Sequence, residues 1–252
     1  MTKIPLKYYY LFSLLILMNA VTGQTNTIKV TYKAFSLGGQ LEDHEIIKKS
    51  KFKHLYVGLD DALASLQFCL VANKVDSHFF VEDGLATNDR AKKMALNFTG
   101  KGDVFINLNS KSYVKQKNIL DNYYFVSCYL EPNWKLIDEK KIIEGYLCFK
   151  AITDKFIRIS KDTNKIVPIT AWYCPSIPFS FGPKEYFNLP GLILELQEDK
   201  VAFLATKIAF NIKSKDLVLN RNNTIIDEEE YNMKLDQKTE EFFAKIRKNK
   251  NK

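Results

Sequence analysis

The sequence lacks the short motifs that mark several common catalytic sites. Its 252 residues contain no G-x-S-x-G elbow, no P-loop, no H-E-x-x-H pair and no G-x-G-x-x-G fingerprint. Histidine is scarce too, with three residues in the chain. His44, His54 and His78 stand ten and 24 residues apart, and no cysteine lies near them at the short spacing of zinc sites. The sequence therefore predicts no catalytic residue, no bound metal and no cofactor.

Long apolar runs are absent beyond the N-terminus. The run Tyr8–Met18 has eleven residues, fewer than the roughly 18 needed to cross a bilayer, and it follows two lysines. Small residues then lead to Gly23, a pattern typical of a secretory signal peptide. We expect residues 1–23 to be a signal peptide and the protein to be exported, to the periplasm or outside the cell. No cysteine lies near the cleavage point, so we expect no lipoprotein and, after signal removal, no transmembrane span.

Disorder is excluded for most of the chain by its composition. Apolar residues make up 46% and aromatic residues 13%. No repeat or Gly/Pro/Ser-rich linker divides residues 24–252, so we expect one domain there.

The net charge is +8, and Lys245–Lys252 carries five cations and no acid, which suits either an anionic partner surface or a solvated end. We expect no nucleic-acid partner.

Cysteine is limited to four residues, an even number that allows three pairings in an exported chain. Cys128 and Cys148 lie in strand-like segments on either side of a charged D-E-K-K run. A hairpin centred near Asp138 would place these two cysteines opposite each other. We therefore favour a Cys128–Cys148 disulfide with Cys69–Cys174 as the remaining pair, and free thiols are the alternative.

Alternating apolar and polar residues predict strands along most of the chain. From Asp227 the period changes: acids come first, cations come last, and Tyr231, Leu235, Phe242 and Ile246 share one helical face. We expect a mainly β protein, a curved antiparallel sheet or half-barrel with a C-terminal helix, 227–247, packed on it. The polar runs 41–53 and 87–97 suit short helices or long loops. The predicted strands are Ile28–Phe35, Ala62–Ala72, Ser77–Glu82, Asp103–Leu108, Tyr123–Leu130, Ile142–Ala151, Ile166–Tyr173, Leu192–Gln197 and Val201–Ile212.

One segment, Ala171–Leu196, collects four prolines and six aromatic residues. Proline cannot donate to a β-ladder, so this segment must leave the sheet, and its rings must be buried or offered to a partner. Leu189, Pro190, Gly191 and Leu192 predict a type II turn into the next strand. The rings either plug an open end of the sheet as core or line the mouth of an apolar cleft for a lipid or peptide. The rings in question are Trp172, Phe179, Phe181, Tyr186 and Phe187.

The same segment carries a family resemblance. The run N-L-P-G-L-I-L-E-L from Asn188 to Leu196 resembles the signature of the GLPGLI family of exported Bacteroidetes proteins. Asn188 stands where the family has its first glycine, and asparagine tolerates a positive φ better than most residues. The resemblance implies an exported envelope protein of unestablished role and supplies no catalytic residue. The other matching positions are Trp134, Ile143, Gly145, Tyr146, Cys148, Lys150, Ala151, Ala171, Trp172, Tyr173, Ile177, Pro178, Gly182 and Pro183.

Three functional hypotheses follow. The leading one is a non-catalytic binding or carrier protein, chaperone-like, for a hydrophobic ligand such as a lipid or peptide. The alternative is a structural or interaction component of the envelope that contacts another protein through a sheet edge or the basic C-terminal helix. An enzyme of an unrecognised kind is the third.

Overall fold

A computed structural model describes residues 26–38, 57–82, 90–100, 102–120, 122–129, 132–213, 217, 219 and 224–250. The predicted signal peptide and the polar run 41–53 lie outside the described residues. Within the described part of the chain, no helix has an apolar stretch long enough to span a bilayer.

Twelve strands and three helices make up the described fold. The strands are β1 Ile28–Ser36, β2 Gln67–Ala72, β3 Asp76–Val81, β4 Val104–Asn107, β5 Ser112–Ile119, β6 Asn122–Cys128, β7 Lys135–Ile143, β8 Tyr146–Ser160, β9 Thr163–Cys174, β10 Leu192–Glu198, β11 Val201–Phe210 and β12 Ile225–Asp227. The helices are α1 Leu59–Ser65, α2 Arg90–Thr99 and α3 Glu228–Lys250.

All twelve strands form one open, curved sheet in the order β12-β6-β5-β4-β3-β2-β1-β11-β10-β9-β8-β7. Strand β12 pairs in parallel with β6, and the other neighbouring pairs are antiparallel. Strand β1 sits in the middle and joins β2 to β11, with Ile28 opposite Phe210. The prediction of a curved, mainly antiparallel sheet is confirmed.

The main core packs against one face of the central strand β1. Alternate residues of β1, such as Ile28, Val30 and Tyr32, are fully buried there, as a two-residue period requires. Strand β10 is different, because every residue from Leu192 to Leu196 is buried. An additional layer must therefore cover its second face, and the aromatic segment described below provides it.

Helix α3 begins where the sequence predicts it. The Asp227 carboxylate accepts a hydrogen bond from the backbone N–H of Glu230 at 2.7 Å, which caps the first turn. Tyr231 packs in a small second cluster with Ile119 and Val126, so the first half of the helix lies on the β5–β6 end of the sheet. The helix runs to Lys250, three residues beyond the predicted end.

The predicted strand Ala62–Ala72 is half wrong. Its first part belongs to α1, in which Leu59, Ala62 and Leu63 are buried at helical spacing, and only Gln67–Ala72 is a strand. Over this short length, the apolar residues from Ala62 onwards fit both the two-residue period of a strand and the spacing of a helix. The sequence pattern therefore does not distinguish the two structures.

The predicted hairpin near Asp138 is also wrong. Asp138 lies inside the edge strand β7, and the turn between β7 and β8 falls at Glu144 and Gly145, whose φ angles are 48° and 80°. Cys128 consequently ends β6 in the small cluster under α3, whereas Cys148 lies in the main core on β8. The charged run that suggests a turn is an exposed edge strand, where lysines and acids discourage pairing with other chains.

All four cysteines are buried, free thiols. The favoured Cys128–Cys148 bond is absent because the strands that carry them are not neighbours. Cys69 and Cys174 are separated in the same way, on β2 and β9.

Candidate functional site

The aromatic segment is buried in the main core beside the start of β10. Trp172, Phe179, Phe181, Tyr186 and Phe187 are each at most 8% exposed. Leu192 and Ile193 at the start of β10 donate backbone hydrogen bonds to the Ile177 and Phe181 carbonyls at 3.0 Å each. The segment thus takes the place of β11 beside the start of β10. All five rings belong to the main core, and Tyr186 also lines a cavity.

The turn into β10 is tighter than the predicted type II turn. The Gly191 N–H donates to the Leu189 carbonyl at 2.8 Å, and Leu192 bonds to Ile177 rather than to Leu189. Gly191 has a φ of 152°, and a β-carbon there would lie 2.2 Å from the Cys174 carbonyl oxygen. The backbone of this turn therefore lies close to the Cys174 backbone at Gly191. Asn188 adopts a positive φ of 70°.

A cavity of about 590 Å³ lies between β5, β8 and the first half of α3. Strands β5 and β8 are far apart in the sheet order and meet here because the sheet curves. Phe156, Ile157 and Leu235 contribute apolar walls. Charged side chains from β5, β8 and the aromatic segment lie at its base: Lys115, Lys155 and Glu185.

A buried ion-pair network holds that base together. Glu185 contacts Lys155 at 2.6 Å and Lys115 at 3.0 Å. Glu198, at the end of β10, contacts Lys155 at 2.7 Å and also pairs with Lys184. The five side chains are at most 21% exposed. The network therefore fastens the aromatic segment to β5, β8 and β10.

The network perturbs the pKa values of its members. Burial opposes the ionisation of Glu185, but the ammonium groups of Lys115, Lys155 and Lys184 outweigh it and hold the pKa of Glu185 well below its usual range. The same balance, with Lys184 and Lys155 as the cations, lowers the pKa of Glu198. Burial lowers the pKa of Lys115 despite Glu185, whereas at Lys155 the two carboxylates overcome burial and raise the pKa.

The Tyr186 hydroxyl lies beside the network. Its oxygen is buried and interacts with the Glu198 carboxylate without the geometry of a normal hydrogen bond. Burial raises the pKa of Tyr186, and the nearby carboxylates of Glu198 and Glu185 raise it further. A poorly aligned hydrogen bond is weak, so this hydroxyl is suited to a ligand or a water molecule.

Helix α3 is fastened to both walls of the cavity. Arg158 of β8 donates to both carboxylate oxygens of Asp236 at 2.9 and 3.0 Å. Lys117 of β5 pairs with Glu228 at 3.0 Å, and the Tyr231 hydroxyl donates to the Asn118 carbonyl at 3.2 Å.

Sequence reasoning found Tyr186 but missed the network around it. Lys115, Lys155 and Glu198 come from three separate strands, and only the fold brings them together. The available signal was the dipeptide Lys184–Glu185, two charged residues inside an otherwise aromatic, proline-rich run. In the described part of the chain, no three His, Cys, Asp or Glu side chains are placed to hold a metal ion.

Comparison with known proteins finds one family model and several solved structures that are similar to this chain. A family model described as a protein of unknown function (Porph_ging) matches residues 157–195, which include all of β9, the first four residues of β10 and nearly all of the aromatic segment. No curated protein matches.

Two solved structures share the fold. They are structures of PNGF-II in the C2 and P21 space groups, with 16% and 18% identity and TM-scores of 0.51 and 0.52. Each alignment covers 84% of this chain and 33% or 34% of the PNGF-II chain, so the protein spans about a third of their length. Around the aromatic segment the chain is thus similar to a family of unknown function, and over most of its length it is similar to PNGF-II in fold.

Proposed function

We propose that the protein is an exported, non-catalytic binding or carrier protein of the GLPGLI type, and that its cavity holds a hydrophobic guest, a lipid or a peptide. The observation that carries this proposal is the cavity of about 590 Å³ with apolar walls and a buried Tyr186 at its base. This volume lies within the range of small-molecule sites.

The place of the guest differs from the mouth beside Phe179 and Phe187 that the sequence suggested. Those two rings are core, at 3% and 1% exposure, and leave no room for a ligand. The cavity beside Tyr186 instead has Phe156 and Ile159 at its rim, which are 65% and 61% exposed. Such exposed apolar groups around a pocket support binding of an apolar chain.

Filling the cavity tests the proposal. The variant Leu235→Trp enlarges a half-buried wall residue, and Phe242→Trp makes a matched change on the exposed distal part of the same helix. Protein purified without detergent is extracted for mass spectrometry of bound lipids and titrated with a dansyl-labelled fatty acid. We expect at least tenfold weaker probe binding for Leu235→Trp and no change for Phe242→Trp. Equal binding by both variants would place the guest elsewhere and contradict the proposal.

A second candidate is an interaction role through the sheet edge. Strand β7 ends the described sheet order, and its Leu136 and Ile142 are 57% and 65% exposed, with Leu147 of β8 beside Ile142. Exposed apolar groups on an edge strand favour pairing with another protein. The variant Ile142→Lys should abolish recovery of a cross-linked envelope partner, and truncation after Glu241 should not. The reverse result would assign the contact to the basic helix.

A further inference from the structure

We infer that the guest is an acyl-chain amphiphile with a single anionic head group, a carboxylate, which binds at the Lys115 and Tyr186 end of the cavity. This inference rests on the proposed function and adds the chemistry of the ligand.

The first argument is the charge of the buried network. Three lysines, Lys115, Lys155 and Lys184, face two carboxylates, Glu185 and Glu198, so the network has one positive charge in excess. An uncompensated buried charge is costly, and a bound monoanion would remove that cost. Lys115 and Lys184 each share their one carboxylate partner with Lys155, and of these two only Lys115 lines the cavity.

The other charged groups around the cavity do not supply the missing anion. Lys117 and Arg158 already pair with Glu228 and Asp236 of α3. Asp154 lines the cavity but is exposed, so water screens its charge. One negative charge is therefore still needed beside Lys115.

The second argument is the Tyr186 hydroxyl. The residue lines the cavity and is 3% exposed, and its contact with the Glu198 carboxylate lacks the geometry of a normal hydrogen bond. A carboxylate can accept hydrogen bonds from a phenol and an ammonium group at once, because each of its oxygens has two lone pairs.

The third argument is the opposite end of the cavity. Ile157 and Leu235 line the wall, and Phe156 and Ile159 lie exposed at the rim. A ligand that satisfies both ends has an anionic head at the base and an apolar chain that leaves along this wall. A saturated fatty acid is the simplest molecule of this kind.

Calorimetric titration with dodecanoate and with methyl dodecanoate tests the inference, because the two share a chain and differ in charge. We expect the wild-type protein to bind dodecanoate about tenfold more tightly than the ester. Lys115→Gln and Tyr186→Phe should each remove most of that preference. Lys165→Gln, in the exposed Lys165–Asp199 pair, is the matched control and should keep the preference.

The outcomes separate the two levels of the proposal. Equal binding of acid and ester by the wild-type protein overturns the carboxylate inference and leaves the proposed function standing. Binding of neither compound, or binding that is insensitive to Leu235→Trp, overturns the proposed function itself. If Lys115→Gln does not fold, Tyr186→Phe carries the test, because it keeps the buried ring and removes only the oxygen.

A different observation carries a second proposal. We further propose that Cys148 and Cys174 form a disulfide when the chain folds in the presence of a disulfide oxidant. In the β8–β9 ladder Phe149 lies opposite Tyr173, so the next antiparallel positions place Cys148 opposite Cys174. Both residues are fully buried, and directly opposed β-carbons lie about 4.5–5.5 Å apart, close to disulfide spacing.

Oxidised glutathione supplies the oxidising equivalents. One protein thiolate attacks it and releases one glutathione thiolate, and the second protein thiolate then displaces the other. Two protein thiols become one disulfide while one glutathione disulfide becomes two thiols. Because both side chains are buried, the exchange takes place during folding.

Refolding in a glutathione redox buffer tests this pairing. We expect a mass loss of two hydrogens, two remaining thiols after denaturation, one cross-linked peptide with Cys148 and Cys174, and a Tm about 5–10 °C higher than that of the reduced protein. Cys148→Ser should prevent the cross-link, and Cys69→Ser should not. Four remaining thiols, or a cross-link through Cys128, would overturn the proposal.

Discussion

At the residue scale, Glu185 joins three parts of the molecule. It lies in the aromatic segment, its side chain is 9% exposed, and it binds Lys115 of β5 and Lys155 of β8. Removal of one partner from a buried ion pair leaves the other charges uncompensated, which costs more than the pair itself contributes.

Glu185→Gln should therefore lower the free energy of unfolding by about 3–5 kcal/mol in urea denaturation. Asp199→Asn is the matched control, because the Lys165–Asp199 pair is 49% exposed on both sides. An exposed pair contributes about 0–1 kcal/mol, so the control should change little. Similar losses for the two variants would show that the network is solvated.

The same carboxylates predict how stability depends on acid. The folded-state pKa values of Glu185 and Glu198 lie below the ordinary 4.5, so near that pH the unfolded chain binds more protons. The stabilisation is complete above pH 4.5 and is lost as the pH falls through the folded-state values. Urea unfolding between pH 7 and pH 3 should show a steeper loss in the wild-type protein than in Glu185→Gln.

At the element scale, the aromatic segment behaves as an additional layer of the sheet, and Gly191 fixes where it rejoins β10. Gly191→Ala would place a β-carbon 2.2 Å from the Cys174 carbonyl oxygen, so the backbone must move. We expect a Tm loss above 10 °C or failure to fold. Gly145→Ala is the control: its φ is also positive, at 80°, but no atom lies within 4 Å of the added carbon. It should cost about 1–2 kcal/mol.

The first half of helix α3 packs on the sheet and its distal half is exposed, which predicts different effects of changes in the two halves on stability. Phe242 and Phe243 are 51% and 52% exposed, whereas Tyr231 is 8% exposed. Truncation after Glu241 should leave the free energy of unfolding within about 0.5 kcal/mol of the wild-type value. Tyr231→Ala should cost about 3 kcal/mol or more. Chemical denaturation of both variants measures the difference, and a large effect of the truncation would show that the distal half is packed.

Sequence patterns predicted most of the strands that face the apolar core and missed two others. Strand β5 was not predicted, because Tyr113, Lys115 and Lys117 place polar groups on the face that lines the cavity. Such a failure of the alternation rule is expected where a strand lines a polar site. The exposed edge strand β7 was not predicted because its D-E-K-K run resembles a turn.

At the scale of the whole molecule, the class of fold was predictable and the site was not. A two-residue period in most strands and a change of period after Asp227 suffice for a curved sheet with a C-terminal helix. The network depends on which strands meet across the curve. That information lies in long-range contacts, for which a single sequence gives no local signal.

The position of β1 also determines when the protein can fold. Ile28 pairs with Phe210, so the central ladder of the sheet joins residues 182 positions apart. Contacts of such long range close slowly, because the loop between them must be ordered first. A nascent chain therefore cannot complete this sheet until residue 210 has been synthesised.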